Sequence, residues 1–207
     1  MTVEEYRATV TREKRRAVLD AALAAFLKRG YDGTSMAQVA RQADVSSATV
    51  YKHFPAKADL FGAIMERFWE NEEGAAPPAP VPGNPRSGLT EIGRHYAGLL
   101  TRPDTVPLFR VVVAEVPRFP ELGEKLYQLG KLPYLNRLRA YLEAEMKAGT
   151  LSITDVTLAK RQFLGMINDL VFWPRMLVPD AALSPDEVER VVDEAVETFV
   201  ARYGIAQ

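Results

Sequence analysis

The chain contains no cysteine. Disulfides, thiol nucleophiles and thiolate metal sites are therefore excluded. Histidine is scarce as well. His53 and His95 are the only two in 207 residues, and neither has carboxylates at a spacing that would complete a metal centre, so neither a metal nor another cofactor is expected. No glycine-rich phosphate loop follows a strand pattern, and no histidine stands beside an evident nucleophile. Catalysis in a helical cavity stays only as an alternative. Long apolar runs are missing too. None approaches the roughly 18 to 20 residues of a membrane span, and the opening MTVEEYRATVTREKRR has no signal-peptide core. The expectation is a soluble, cytoplasmic protein with no membrane partner.

What is present is ample apolar material, 47% of residues, and an uneven distribution of charge. Residues 1 to 57 carry ten Lys/Arg against six Asp/Glu, net +4, whereas residues 58 to 207 carry sixteen against twenty-one, net −5. A basic end on an acidic remainder suits a protein that presents one end to nucleic acid, although a solvated face would give the same pattern. Periodicity is helical throughout, and no alternating strand pattern competes.

Residues 34 to 61, TSMAQVARQADVSSATVYKHFPAKADLF, hold the most specific pattern. Ser35 with Gln38 makes a capping box for a short helix that buries Met36, Val39 and Ala40. Gln42 to Val45 form a turn in which Asp44 tolerates a left-handed backbone. Ser46 then caps a second helix, Ser47 to His53. Val50 and Phe54 face inward with Val45, and the exterior is small, hydroxylated or cationic. A helix entering a major groove needs such an exterior: a slim first turn, then groups that bond to bases and phosphates. The expected DNA contacts are Thr34, Ser46, Ser47, Ala48, Thr49, Tyr51, Lys52, His53 and Lys57, the last reinforced by its helix N-terminus. Arg12, Lys14, Arg15 and Arg16, at the opening of a helix over 11–29 that Gly30 ends, either touch flanking phosphates or form a solvated helix end.

These residues resemble the TetR-type bacterial transcriptional regulators. The likeness runs in one register over about residues 12 to 61. It is carried by Val18, Ala21, Ala22, Phe26, Gly30 and Tyr31, then Thr34, Ser35, Val39, Ala40, Ala43, Val45, Ser46, Thr49, Val50, Tyr51, His53, Phe54, Lys57 and Leu60. Asp44 departs from the family's usual glycine, and Ala56 from a serine or asparagine cap, which weakens the next helix start by about 1 kcal/mol.

The remainder divides at its prolines and glycines. A helix through Leu60, Phe61, Ile64, Met65 and Phe68 is expected to end near Gly74, and GAAPPAPVPGNPRSG, with five of the fourteen prolines, forms a semi-rigid linker. Helices are expected over 87–101, 104–115, 119–129, 131–147, 154–173 and 185–203. The architecture is all-α: an N-terminal three-helix helix-turn-helix DNA-binding domain (1–57), a connecting helix (58–73), the linker (74–88), and a larger helical-bundle ligand-binding and dimerisation domain (89–207). The last helix opens on the capping box Ser184–Glu187 with Pro185 at its first position.

The broad apolar stripe of that helix, with the one on 154–173, is either ordinary core or a two-helix contribution to a four-helix dimer interface, as the resemblance implies. The interface candidates are Leu164, Ile167, Val171, Val188, Val192, Ala195, Val196 and Phe199. Residues 108 to 130 are similar to regulators of the AefR or AcrR kind, in which the body encloses a small, mostly apolar effector. Side chains able to line such a cavity are His95, Tyr96, Phe109, Arg110, Val113, Phe119, Tyr127, Tyr134, Phe163, Met166, Asn168, Asp169, Phe172 and Trp173, with plain core as the other reading of the aromatics. Asn168 and Asp169 interrupt an apolar helix, and a buried polar group must find a partner. Glu115 is either a pocket acid or a solvated ion-pair member. The expected function is a homodimeric transcriptional regulator, a repressor released from near-palindromic double-stranded DNA by a small-molecule effector. The alternative is a DNA-binding structural protein without an effector.

Overall fold

The computed structural model describes residues 3–69, 80–178 and 180–205. Eleven α-helices account for almost all regular structure among them: α1 (Val3–Arg29), α2 (Met36–Gln42), α3 (Ser47–His53), α4 (Lys57–Phe68), α5 (Pro85–Thr101), α6 (Thr105–Glu115), α7 (Pro120–Lys125), α8 (Leu132–Lys147), α9 (Val156–Val171), α10 (Trp173–Leu177) and α11 (Pro185–Tyr203). None of these helices is long and apolar enough to cross a membrane. α1 starts well before residue 11, because nothing in residues 3–10 breaks a helix even though the apolar stripe begins later. It ends at Gly30, whose φ of 74° is left-handed and whose N–H bonds to Phe26 O at 2.9 Å.

The chain forms two compact units, the described parts of Met1–Gly74 with Pro107–Gly130, and of Ala75–Val106 with Lys131–Gln207. In the first, Val18, Leu19, Ala22 and Phe26 of α1 are fully buried with Val39, Val50, Leu60 and Phe61. Residues 107–130, expected as part of the body, cluster with the unit that contains the helix-turn-helix. Glu115 Oε1 accepts from the Asp32 N–H at 3.2 Å, and Arg118 pairs with Asp32 at 3.0 Å. The Phe119 ring stands edge-on to Tyr31 with centroids 5.1 Å apart, and Lys125 pairs with Asp59 at 3.1 Å.

Gly130 does not end a helix, contrary to the break expected there. A π-helical turn (Leu126–Lys131) carries α7 directly into α8. The reason is steric: a Cβ on Gly130 would come within 2.3 Å of the Trp69 indole nitrogen, so glycine serves a close approach. The break expected at Pro174 falls at Phe172, between α9 and α10, and Pro174 takes the second position of α10. The expected end of the connecting helix near Gly74, and the linker as far as residue 79, lie outside the described residues. Residues 85–88 of that linker are helical: Asn84 caps α5, its side chain accepting from the Ser87 N–H at 3.1 Å, with Pro85 at the first position.

In the second unit α5 packs on α9 and α11. Gly93 permits this, since a Cβ there would meet Val192 at 2.8 Å and Ile167 at 3.3 Å. The core takes in Leu164, Ile167, Val171, Val192, Ala195, Val196 and Phe199, each at most 5% exposed. These were the interface candidates, and they are the interior of one chain; only Val188 is half-buried. The apolar stripes of α9 and α11 face each other and α5, which the sequence alone could not pair. A buried carboxylate fastens α8. Glu145, fully buried, accepts from the Tyr141 hydroxyl at 2.5 Å, the Thr150 hydroxyl at 2.5 Å and the Gly83 N–H at 2.9 Å.

Candidate nucleic-acid interface

The α2–turn–α3 element follows from local chemistry. Ser35 accepts from the Gln38 N–H at 3.3 Å while Gln38 accepts from the Ser35 N–H at 2.9 Å, closing the capping box. The turn is a complete Schellman motif: Val45 N–H reaches Ala40 O at 3.0 Å and Asp44 N–H reaches Arg41 O at 3.3 Å. Asp44 takes the left-handed position with φ of 53°, the one such non-glycine among the described residues. An aspartate tolerates it better than most side chains do. At the start of α3 Ser46 accepts from the Thr49 N–H at 3.1 Å, and the two hydroxyls lie 2.9 Å apart.

Val50 and Phe54, 0% and 3% exposed, anchor α3 inward. Ser47, Ala48, Tyr51 and Lys52 are exposed, and Tyr51 is 52% exposed, an unusual state for an aromatic ring with no partner surface of its own. Their spacing places them on one face of the helix. Thr49 and His53 are half-buried at its flanks, and Ser46 is exposed at its mouth. Arg12, Lys14, Arg15 and Arg16 are all exposed, and the Arg15 guanidinium lies 5.4 Å from the Phe54 ring centre.

Two expected DNA contacts are used elsewhere. Thr34 is 2% exposed and its hydroxyl donates to Gly30 O at 2.9 Å, so its side chain caps α1 rather than facing outward. Lys57 turns inward as well. Its ammonium donates to Tyr31 O at 2.7 Å and Thr34 O at 3.0 Å, and it lies 4.2 Å from the centre of the Tyr31 ring. Burial lowers its pKa, opposed by the charges of Asp32 and Glu115, and burial above all raises that of Tyr31 to about 12. Lys57 is therefore a staple across the α1–α2 loop. Lys57→Met should lower stability by about 1–3 kcal/mol, because the loop carbonyls lose their donor. Thermal melting checks this; a drop in DNA affinity with unchanged melting would restore the phosphate-contact role.

The residues considered for an effector pocket separate. In the first unit Phe119 packs on Tyr31, Val113 is 64% exposed, Tyr127 is 38% exposed, Arg110 is exposed and Phe109 is half-buried. In the second, Asp169 and Trp173 are exposed, so the aspartate needs no buried partner. Phe163 is core, edge-on to Phe199, Phe172 is 4% exposed, and Met166 is half-buried.

Four of the candidates do come together: His95 and Tyr96 from α5, Tyr134 from α8 and Asn168 from α9. His95 stacks on Tyr134, centroids 5.8 Å apart and 11° from parallel, with Nδ1 3.5 Å from the Tyr134 hydroxyl. That hydroxyl donates to Ile92 O at 3.1 Å, and the Tyr96 hydroxyl reaches Asn168 Oδ1 at 3.5 Å. Burial lowers the pKa of His95, helped by the charges of Arg137 and Arg102, and raises that of Tyr96 to about 12. Arg137, over the Tyr134 ring at 5.5 Å, was not foreseen. Its three-residue spacing from Tyr134 on α8 was the available signal. A separate groove of about 390 Å³ lies between α5 and the start of α11, lined by Ala97, Gly98, Leu183 and Val188 among others, and holds none of the expected pocket residues.

A capped helix pair with an exposed, groove-sized second helix, set in an all-α chain, defines a helix-turn-helix protein. Residues 18–64 match the model of the bacterial regulatory proteins of the tetR family, and residues 87–205 match that of the AefR-like transcriptional repressor C-terminal domain. The chain belongs to the TetR family, with an AefR-like body. It is 32% identical to a TetR family transcriptional regulator from Pseudomonas syringae pv. tomato, with a TM-score of 0.72 over 94% of this chain and 98% of that one. The flavonoid-responsive regulator FrrA is 27% identical, with a TM-score of 0.74 and the same coverage. Among curated relatives, the HTH-type transcriptional repressor KstR of Rhodococcus jostii is 35% identical over 81 residues, 38% of each chain. The chain thus spans about two fifths of the length of the curated relatives it first matches.

Proposed function

We propose that the protein is a homodimeric transcriptional repressor of the cytoplasm. In this reading α3 enters the major groove of near-palindromic duplex DNA, and a small molecule in the body releases it. The observation that carries this is the exterior of α3, where Ser47, Ala48, Tyr51 and Lys52 stand exposed on a helix whose Val50 and Phe54 are locked into the core. The names of the relatives, repressors and an effector-responsive regulator, support the same reading.

The release mechanism would run through residues 107–130. Glu115, Arg118 and Phe119 grip the α1–α2 loop, and Lys125 grips α4, so a displacement of this segment moves the framework that aims α3. An effector acts only by favouring one of two such arrangements, by its differential affinity for them. The dimer would form on the exposed face of α9, where Leu158, Arg161, Gln162, Gly165 and Asp169 recur at helical spacing opposite the buried stripe, together with Glu194, Thr198 and Ala201 of α11.

Footprinting on the DNA flanking the gene tests the proposal. The expected result is protection of two half-sites about one helical turn apart, with affinity falling steeply as salt rises. Binding with no preference among duplexes would favour the structural DNA-binding alternative, and no duplex binding at low salt would sink both.

A further inference from the structure

We propose that the groove between α5 and the start of α11 is the effector site, and that it takes an aliphatic cation, an alkyl chain ending in an ammonium group. This names the ligand class of the effector-sensing reading and rests on it. The groove has a volume of about 390 Å³, within the range of small-molecule sites. Its apolar surface is aliphatic. Ala97, Val188 and Val192 are joined there by Leu183 and Pro185, and no aromatic ring lines it among the described residues. A flexible alkyl chain suits such walls better than a flat ring system, which gains most from stacking on other rings. Gly98 keeps the groove open. A Cβ built there meets no atom within 4 Å, although the residue lies inside α5, where glycine is about 1 kcal/mol less favourable than alanine.

One end of the groove is charged, and its balance is acidic. Arg94 and Glu189 both line it, and Arg94 Nε and Nη2 donate to the same oxygen, Glu189 Oε1, the first at 2.6 Å. Glu189 Oε2 is left with no hydrogen bond among the described residues. Hydrogen bonding to Glu189, opposed by desolvation and aided by the charges of Glu189 and Asp193, raises the pKa of Arg94. Asp193, one turn further along α11, thus shares that guanidinium, and two carboxylates against one arginine leave a negative charge to be answered. The other arginines close in sequence act elsewhere: the charge of Arg190 is felt at Glu187 and that of Arg102 at His95. An anion finds nothing at the start of α11. Pro185 has no N–H, Ser184 Oγ holds the Glu187 N–H at 3.3 Å, and Asp186 and Glu187 occupy the first turn. An ammonium brings three donors, which serve Glu189 Oε2 and water together.

Calorimetric titration of the full-length protein with octylammonium, 1-octanol and octanoate tests this. Octylammonium should bind about three- to fivefold more tightly than octanol, the margin of a solvent-exposed ion pair, and octanoate more weakly than either. Glu189→Gln should remove the preference for the ammonium. Gly98→Leu should abolish binding of all three by filling the groove, and circular-dichroism melting verifies that it folds. Should Gly98→Leu fail to fold, the octylammonium preference and its loss in Glu189→Gln decide. No binding of any of the three at millimolar concentration, equal or tighter binding of octanol or octanoate, or unaltered octylammonium binding in Gly98→Leu overturns the proposal. A DNA-binding arm separates it from the regulator reading. Octylammonium binding that Gly98→Leu abolishes, without any change in DNA affinity, upholds the ligand site and counts against effector release. Release of DNA by octylammonium that persists in Gly98→Leu overturns this site and leaves the regulator reading standing.

Discussion

Replacing Tyr51 and Lys52 together with alanine should remove most of the affinity for duplex DNA while leaving the melting temperature almost unchanged. Both side chains are exposed on α3, and no hydrogen bond or ion pair of either is seen among the described residues, so substitution should stay within about 0.5 kcal/mol of the parent stability. Their value lies in the complex. A base-edge or phosphate contact is worth about 1–3 kcal/mol, and a symmetric dimer loses it in both half-sites, so the fall should be at least about thirtyfold. The losses differ in kind. Lys52→Ala alone should weaken binding to all duplexes alike and reduce the salt slope by about one for each subunit. Tyr51→Ala should mainly reduce discrimination among sequences. Fluorescence anisotropy across a salt series measures both; a double variant with parental affinity would remove this face of α3 from the interface.

The contrast between α3 and Lys57 explains what was legible in the sequence. The capping boxes at Ser35 and Ser184, the Ser46 cap and the left-handed Asp44 are all decided within four or five residues of chain, and each is found where the local pattern puts it. Lys57 and Thr34 lie in the same motif, yet their roles are set by the α1–α2 loop, 23 or more residues from Lys57 in sequence. A lysine at a helix start reads equally as a phosphate ligand or a staple until its partners are known. Gly130 reads as a helix stop for the same reason: the Trp69 ring it accommodates is remote in the chain. Arg137, a single arginine on an amphipathic helix, looks solvated in the sequence, yet its guanidinium lies over the Tyr134 ring.

The dimer interface is the sharpest case, because the apolar stripe that invited the assignment is occupied. Ile167 and Val192 are fully buried within one chain, so the proposed dimer uses the opposite, exposed face of α9, with Gly165 near its centre. A Cβ built on Gly165 meets no atom within 4 Å in the chain. A side chain can therefore leave the helix here without an immediate clash among the described residues, and in the proposed dimer what it meets is the neighbouring molecule. Gly165→Arg should fold with parental helix content and melt near the parental temperature at low concentration. It should elute with the mass of one 23.0 kDa chain, where the parent elutes with twice that. DNA affinity should fall about a hundredfold or more, because the second head then binds as a separate molecule instead of at high effective concentration. Gly165→Ala adds one methyl group and should weaken the dimer far less, whereas a Gly165→Arg protein that remains dimeric and binds DNA at parental strength would move the interface off this face of α9. Light scattering and anisotropy on the same preparations separate loss of the dimer from loss of the reading head, since Tyr51→Ala with Lys52→Ala should remove most of the DNA affinity without altering mass.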